Sequence, residues 1–246
     1  MNNRAIHVVS AKWPAPSRVQ ALTTLRTGGV SKGGFSALNL AAHVGDAAPI
    51  VARTRANLVN TLGLPSEPRW LRQVHGCQVV DAYETSGVPS ADGAYTTKPG
   101  VVVSVMTADC IPLFLTNAAG AFVAILHIGW RGLHAGLIEA ALPRLPASPQ
   151  HIMAWTGPGI GRHVYRVGSD VYDALVANFS EHVSAFTLWR DGWLADLPLM
   201  IEQRLNERGV LQVFHSGCCT FSRPNEFFSY RRDGQCGRMA SLAWLE

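Results

Sequence analysis

The chain alternates short apolar runs with polar stretches punctuated by glycine and proline, and the two periodicities predict strands interleaved with amphipathic helices. Residues 101–106 (VVVSVM) are β-branched and follow Gly100, and residues 121–126 (AFVAIL) form a second apolar run after Ala119-Gly120. Both read as buried strands. Each leads into polar residues, Thr107-Ala108-Asp109-Cys110 after the first and His127 after the second. Reactive side chains are thereby set where buried strands end and loops begin.

Helical spacing appears at 50–62 (IVARTRANLVNTL), closed by Gly63-Leu64-Pro65, and at 131–142 (RGLHAGLIEAAL), stopped by Pro143. Residues 169–179 predict another helix with Ser169 or Asp170 as cap. Residues 196–208 predict one capped by Asp196, with Pro198 in the first turn and an end before Gly209. The tail, 227–232 and 235–244 around Asp233-Gly234, predicts a β-hairpin. On that hairpin Phe227, Ser229 and Arg231 share one face and Phe228, Tyr230 and Arg232 the other. One arginine then points with apolar neighbours and needs an anionic partner, a carboxylate or a phosphate. Residues 27–34 (TGGVSKGG) read as a loop, without the following helix that usually supports a phosphate cradle. Gly157-Pro158-Gly159-Ile160-Gly161 reads as a shaped turn at a pocket rim, since Pro158 removes a donor that a dinucleotide loop needs. With no repeat and no linker, the expectation is one α/β (α+β) domain over residues 1–246. Mixed β-sheets are flanked by helices, with the active site at strand ends.

Composition narrows the function. Of 246 residues, 48% are hydrophobic and 15% charged, enough apolar material for a substantial core and unlike a disordered chain. No run approaches the roughly 20 apolar residues of a membrane span, and the first residues lack a signal-peptide pattern. A cytoplasmic protein is expected. The net charge of +4 is too mild for the basic stripe of a nucleic-acid binder. Five cysteines, an odd number with Cys218 and Cys219 adjacent, point to reduced thiols.

Three residues at strand-to-loop boundaries could act together: His75, Cys110 and His127. Two imidazoles and a thiolate make a catalytic-type zinc set that leaves the fourth position to water. Their separations of 35 and 17 residues are no local zinc-knuckle pattern, so buried structural roles stand as the alternative. Asp109 is a candidate proton carrier or a turn residue. Arg131, at a helix start between Gly129 and Gly132, is a candidate anion contact or a cap.

Six segments in order carry a resemblance: residues 39–46 (NLAAHVGD), 73–76 (QVHG), 107–110 (TADC), 127–132 (HIGWRG), 157–161 (GPGIG) and 227–234 (FFSYRRDG). Together they resemble the laccase-domain family, labelled multicopper polyphenol oxidase and also purine nucleoside phosphorylase or peptidoglycan editing factor. The resemblance implies zinc held by His75, Cys110 and His127. It also implies phosphorolysis of adenosine, inosine, guanosine and methylthioadenosine, together with adenosine deamination. Small-molecule nucleoside and phosphate are then the partners, with Asn39, His43 and Arg231 as candidate substrate-binding residues. Departures at Ala41, Thr54, Gly93 and Arg166 leave the three ligands intact and bear on substrate preference.

Other chemistries compete. A multicopper oxidase needs about ten histidine ligands and the chain has nine, so copper is expected only as an incidental metal in vitro. Cys110 could instead be a nucleophile activated by His75 or His127. A zinc-dependent amidase on a peptidoglycan precursor would use the same ligands, and a non-catalytic partner protein would leave them unexplained.

Overall fold

The computed structural model describes residues 5–246. Its centre is a six-stranded sheet in the order β12-β8-β6-β7-β4-β3. The strands are β3 (Val79–Asp81), β4 (Gly93–Thr96), β6 (Ile111–Asn117), β7 (Val123–Ile128), β8 (Ile152–Thr156) and β12 (Gln212–His215). The inner pairings are antiparallel, while β3 on β4 and β12 on β8 are parallel. A four-stranded antiparallel sheet of β1 (Val8–Ser10), β2 (Val19–Thr24), β13 (Met239–Leu245) and β5 (Val103–Thr107) lies against it. A small third sheet joins β9 (Arg166–Val167), β10 (Phe186–Trp189) and β11 (Gly192–Ala195).

Strand alternation explains the stacking. Phe114, Val123, Ile125 and Trp155 of the large sheet meet Val19, Ala21, Val103, Val105 and Ala243 of the four-stranded sheet in one buried cluster. Their neighbours one position along, among them Leu113, Leu115, Ala124 and Leu126, face the opposite way onto helices. Those helices are α2 (Trp130–His134), α3 (Leu137–Ala141), α4 (Ser169–Asn178) and α5 (Leu197–Glu207). On the far face of the four-stranded sheet, Ala240, Leu242 and Trp244 pack with Leu58 of α1 (Ala48–Leu62). The result is a mixed α/β architecture of helix, sheet, sheet and helix layers. Among the described residues, no helix is long and apolar enough to cross a membrane.

The periodic segments fall where the pattern puts them, with informative exceptions. Helix α1 ends at Gly63, whose φ of 60° is the left-handed conformation that closes helices. Asp196 caps α5 by accepting from the Leu199 N–H. The expected helix over 131–142 is instead two short ones, because Gly136 adopts φ 80° between α2 and α3. Gly168, not Ser169 or Asp170, occupies the cap position of α4.

The expected C-terminal hairpin does not form. Phe227 and Phe228 are both fully buried, which a strand with one face outward cannot achieve. Ser229 caps a short helical turn, α6 (Tyr230–Asp233), through the Arg232 N–H. Strand β13 then pairs with β2 and β5. The arginine among apolar neighbours is Arg232, and its guanidinium is satisfied by the Thr220, Phe221 and Phe227 carbonyls and by Asp233.

Candidate active site

His127 lies inside β7, paired with Pro112 of β6, rather than after the strand. Cys110 immediately precedes β6, and His75 sits in the loop before β3. Antiparallel pairing of β6 with β7 therefore brings Cys110 and His127 to the same sheet end. The third residue arrives by a different device. Buried Asp92, just before β4, accepts hydrogen bonds from the backbone N–H groups of Val74, His75 and Gly76 at 3.1, 3.0 and 2.8 Å. The same carboxylate accepts from His127 Nδ1 at 2.9 Å. One side chain thus folds the His75 loop, in which His75 itself has φ 58°, and orients His127. With Nδ1 donating to Asp92, His127 turns Nε2 to the site, the arrangement in which a carboxylate supports a metal-binding imidazole.

The ligand atoms of His75, Cys110 and His127 lie within 4.8 Å of one another, with Cys110 Sγ 4.0 Å from His75 Nε2. Tetrahedral zinc with ordinary bond lengths holds its ligand atoms roughly 3.3–3.6 Å apart, so closure by about 1 Å completes a set. Gly129 leaves room for it, since a Cβ there would stand 2.9 Å from Cys110 Sγ and 3.4 Å from the His75 ring. Burial alone would raise the Cys110 thiol, but the charge and hydrogen bond of His127, aided by His75, outweigh it and lower the thiol to about 6. Burial likewise opposes the His127 cation, but Cys110 and Asp92 raise that imidazole to about 9. Two imidazoles facing a thiolate are the donor set for zinc or another soft-tolerant transition metal. The residues fit the ion that the resemblance implies.

A cavity of about 450 Å³ opens beside these three residues. Its other walls are His43, Gln73, Met106, Ala108, Arg131, Tyr230 and Arg238. Gln73 is locked by a reciprocal pair of 2.8 Å bonds with the Met106 backbone. Arg131 lies over the Trp130 ring at 4.4 Å. Burial, then the charges of Arg238 and Arg55, lower His43 and favour its neutral imidazole.

The remaining sequence candidates stand outside these walls. Asp109, with φ 99°, accepts from the Thr220 hydroxyl on one carboxylate oxygen and from the Arg231 N–H on the other, each at 2.7 Å. Gly159, of the glycine-rich turn, passes so close to Ile111 and the Asp109 carbonyl that a Cβ would clash. Asn39 is fully buried, bonding Ala41, Asp46 and the Arg238 N–H. Arg231 donates to the Arg166 carbonyl and lies 5.2 Å over Tyr165, a buried phenol held neutral. Sequence reasoning misses Asp92, Gln73 and Arg238. For Asp92 the available signal is a carboxylate between Ala91 and an apolar strand, where an ionised group persists only by gathering donors.

This arrangement has relatives. Residues 20–246 match the family model described as multi-copper polyphenol oxidoreductase laccase. The chain belongs to this family. It is 44% identical to the purine nucleoside phosphorylase of Xylella fastidiosa (strain 9a5c), across 97% of this chain and 96% of that one. To the purine nucleoside phosphorylase YfiH of Escherichia coli (strain K12) it is 42% identical, across 97% and 98%. Neisseria meningitidis protein NMB0706 superposes with TM-score 0.93 at 41% identity, covering 97% of this chain and 99% of that one. YlmD from Geobacillus stearothermophilus gives 0.86 at 29% identity, covering 94% and 93%. The mixed α/β fold of this family member is thus shared with experimentally solved structures.

Proposed function

We propose that this family member is a zinc-dependent purine nucleoside phosphorylase of the cytoplasm. Adenosine, inosine, guanosine and methylthioadenosine are its substrates, with adenosine deamination as a second activity of the same site. The observation that carries the reading is one cavity walled jointly by the three metal-type donors and by Arg131 and Arg238. The names of the relatives support the nucleoside chemistry.

Phosphorolysis forms a bond from a phosphate oxygen to ribose C1′ and breaks the C1′–N9 bond, with positive charge developing on the ribose. Arg131 and Arg238 hold the phosphate by charge and hydrogen bonds, which is the electrostatic support that such a displacement needs. Trp130 steadies the Arg131 guanidinium. Arg238 uses Nη1 to bond the Cys236 and Gly237 carbonyls, which fixes the direction of its fork. Asn39 accepts the Arg238 N–H and so acts through that arginine. Neutral His43 can hydrogen-bond the ribose or the base, and exposed Tyr230 offers a ring for stacking. Asp109 ties the Cys110 turn to α6 and so sets the place of both Cys110 and Tyr230. His75, Cys110 and His127 would hold the zinc, which supplies electrophilic polarisation of an oxygen when bound. Hydrolytic deamination adds water at purine C6 and releases ammonia.

Chromatography of adenosine and inosine incubations, with and without phosphate, tests the reading. Free adenine and hypoxanthine are expected only with phosphate, and inosine is expected from adenosine in both. Absence of all three products contradicts it. The approach of Cys110 to His75 favours one second reading, a thiol nucleophile. Immediate alkylation of the as-purified protein at Cys110 would support that, whereas protection until chelator is added supports the metal.

A further inference from the structure

A second cavity, of about 790 Å³, lies between the glycine-rich loop and α1, with none of its lining residues shared with the site above. The sequence pattern builds both walls. Helix α1 buries Val51, Thr54 and Leu58, while Arg53, Asn57 and Asn60, at i, i+4 and i+7, form a polar face along the cavity. Opposite them the loop runs close to its own returning segment, where a Cβ on Gly29 would stand 2.1 Å from the Ala37 carbonyl oxygen. Glycine is required for that approach.

Two features give this cavity a chemical preference. Its charged lining residues are Lys32 and Arg53, with no carboxylate among them. Neither cation forms an ion pair among the described residues. The volume falls in the range of small-molecule sites and far exceeds a lone phosphate ion.

We propose that this cavity binds a phosphorylated small molecule of sugar-phosphate or nucleoside-monophosphate size. Lys32 and Arg53 meet its phosphate, and the Asn57 and Asn60 amides meet its remaining polar groups. The site is independent of the phosphorolysis reading, and its test measures binding rather than turnover.

Isothermal titration of the metal-loaded full chain with ribose 5-phosphate, AMP and inorganic phosphate provides that test. Saturable binding of ribose 5-phosphate or AMP is expected, tighter than that of inorganic phosphate. Whichever of the two binds more tightly identifies the ligand as sugar phosphate or nucleotide. The double substitution Lys32→Glu with Arg53→Glu should weaken it by at least about tenfold, and Arg131→Ala should leave it unchanged. Both reversed cations are exposed, and an unchanged thermal midpoint confirms that the variant folds. The proposal is overturned by three results: no saturable binding, binding untouched by the double reversal, or binding abolished by Arg131→Ala. Should the double variant not fold, Arg53→Ala replaces it, with a smaller loss expected and no loss again counting against the site.

Discussion

Two buried aspartates flank the ligand cluster and do opposite kinds of work. Asp92 touches the cluster itself, gathering three loop N–H groups and the His127 ring onto one carboxylate. Asp109 neighbours Cys110 in sequence, yet its carboxylate turns away to Thr220 and α6. Adjacency along the chain is thus a poor guide to support of the centre, and the donor geometry around each carboxylate is a better one. Asp92 governs how the donors face one another. Asp109 governs how the turn that bears Cys110 is joined to the C-terminal wall.

The largest expected effect separates these roles. Asp92→Asn replaces one oxygen with an NH₂ donor, so either the His127 ring or a backbone N–H loses its acceptor. Zinc affinity measured by chelator competition should fall about 10–100-fold, with activity partly restored by excess zinc. Asp109→Asn should keep zinc affinity close to wild type but lower the unfolding free energy by about 1–2 kcal/mol in urea denaturation. Equal loss of zinc in both variants would erase the distinction.

A smaller effect distinguishes the arginines. Arg131→Lys should raise the KM for phosphate several-fold, because an ammonium cannot reproduce the bidentate fork, without a change in thermal midpoint. Arg231→Lys should leave that KM nearly unaltered, since Arg231 is bonded to the Arg166 carbonyl outside the cavity walls. Steady-state kinetics at varied phosphate on both variants provides the check. The least effect is expected from Asn39→Ser, which acts on Arg238 only through its backbone N–H. Phosphate KM there should move less than in Arg131→Lys.

Two of the strands near the centre are readable in the sequence because β5 and β7 are buried on both faces and so appear as apolar runs, whereas β6 is not read as a strand. Their polar ends stand out for the same reason. The three candidate metal-binding residues are marked by residue type, but their convergence is not, since a strand pairing and a loop folded on Asp92 bring distant positions together. The tail misleads because Asp233-Gly234 carries a hairpin signal while burial of both Phe227 and Phe228 decides the outcome. The break at Gly136 was equally hidden, as glycine within a helical pattern is compatible with a continuous helix or a left-handed joint. Asn39 and Arg231 carry site-like chemistry in the sequence, and the fold spends their hydrogen bonds on its own loops.

The central claim, that His75, Cys110 and His127 together hold one catalytic zinc, is tested most directly by elemental analysis of purified wild type and Cys110→Ala. Wild type should contain one zinc per chain and the variant far less, while circular dichroism shows both folded, because the core is built from apolar side chains independently of the ion. A full equivalent of zinc retained by folded Cys110→Ala would contradict the account.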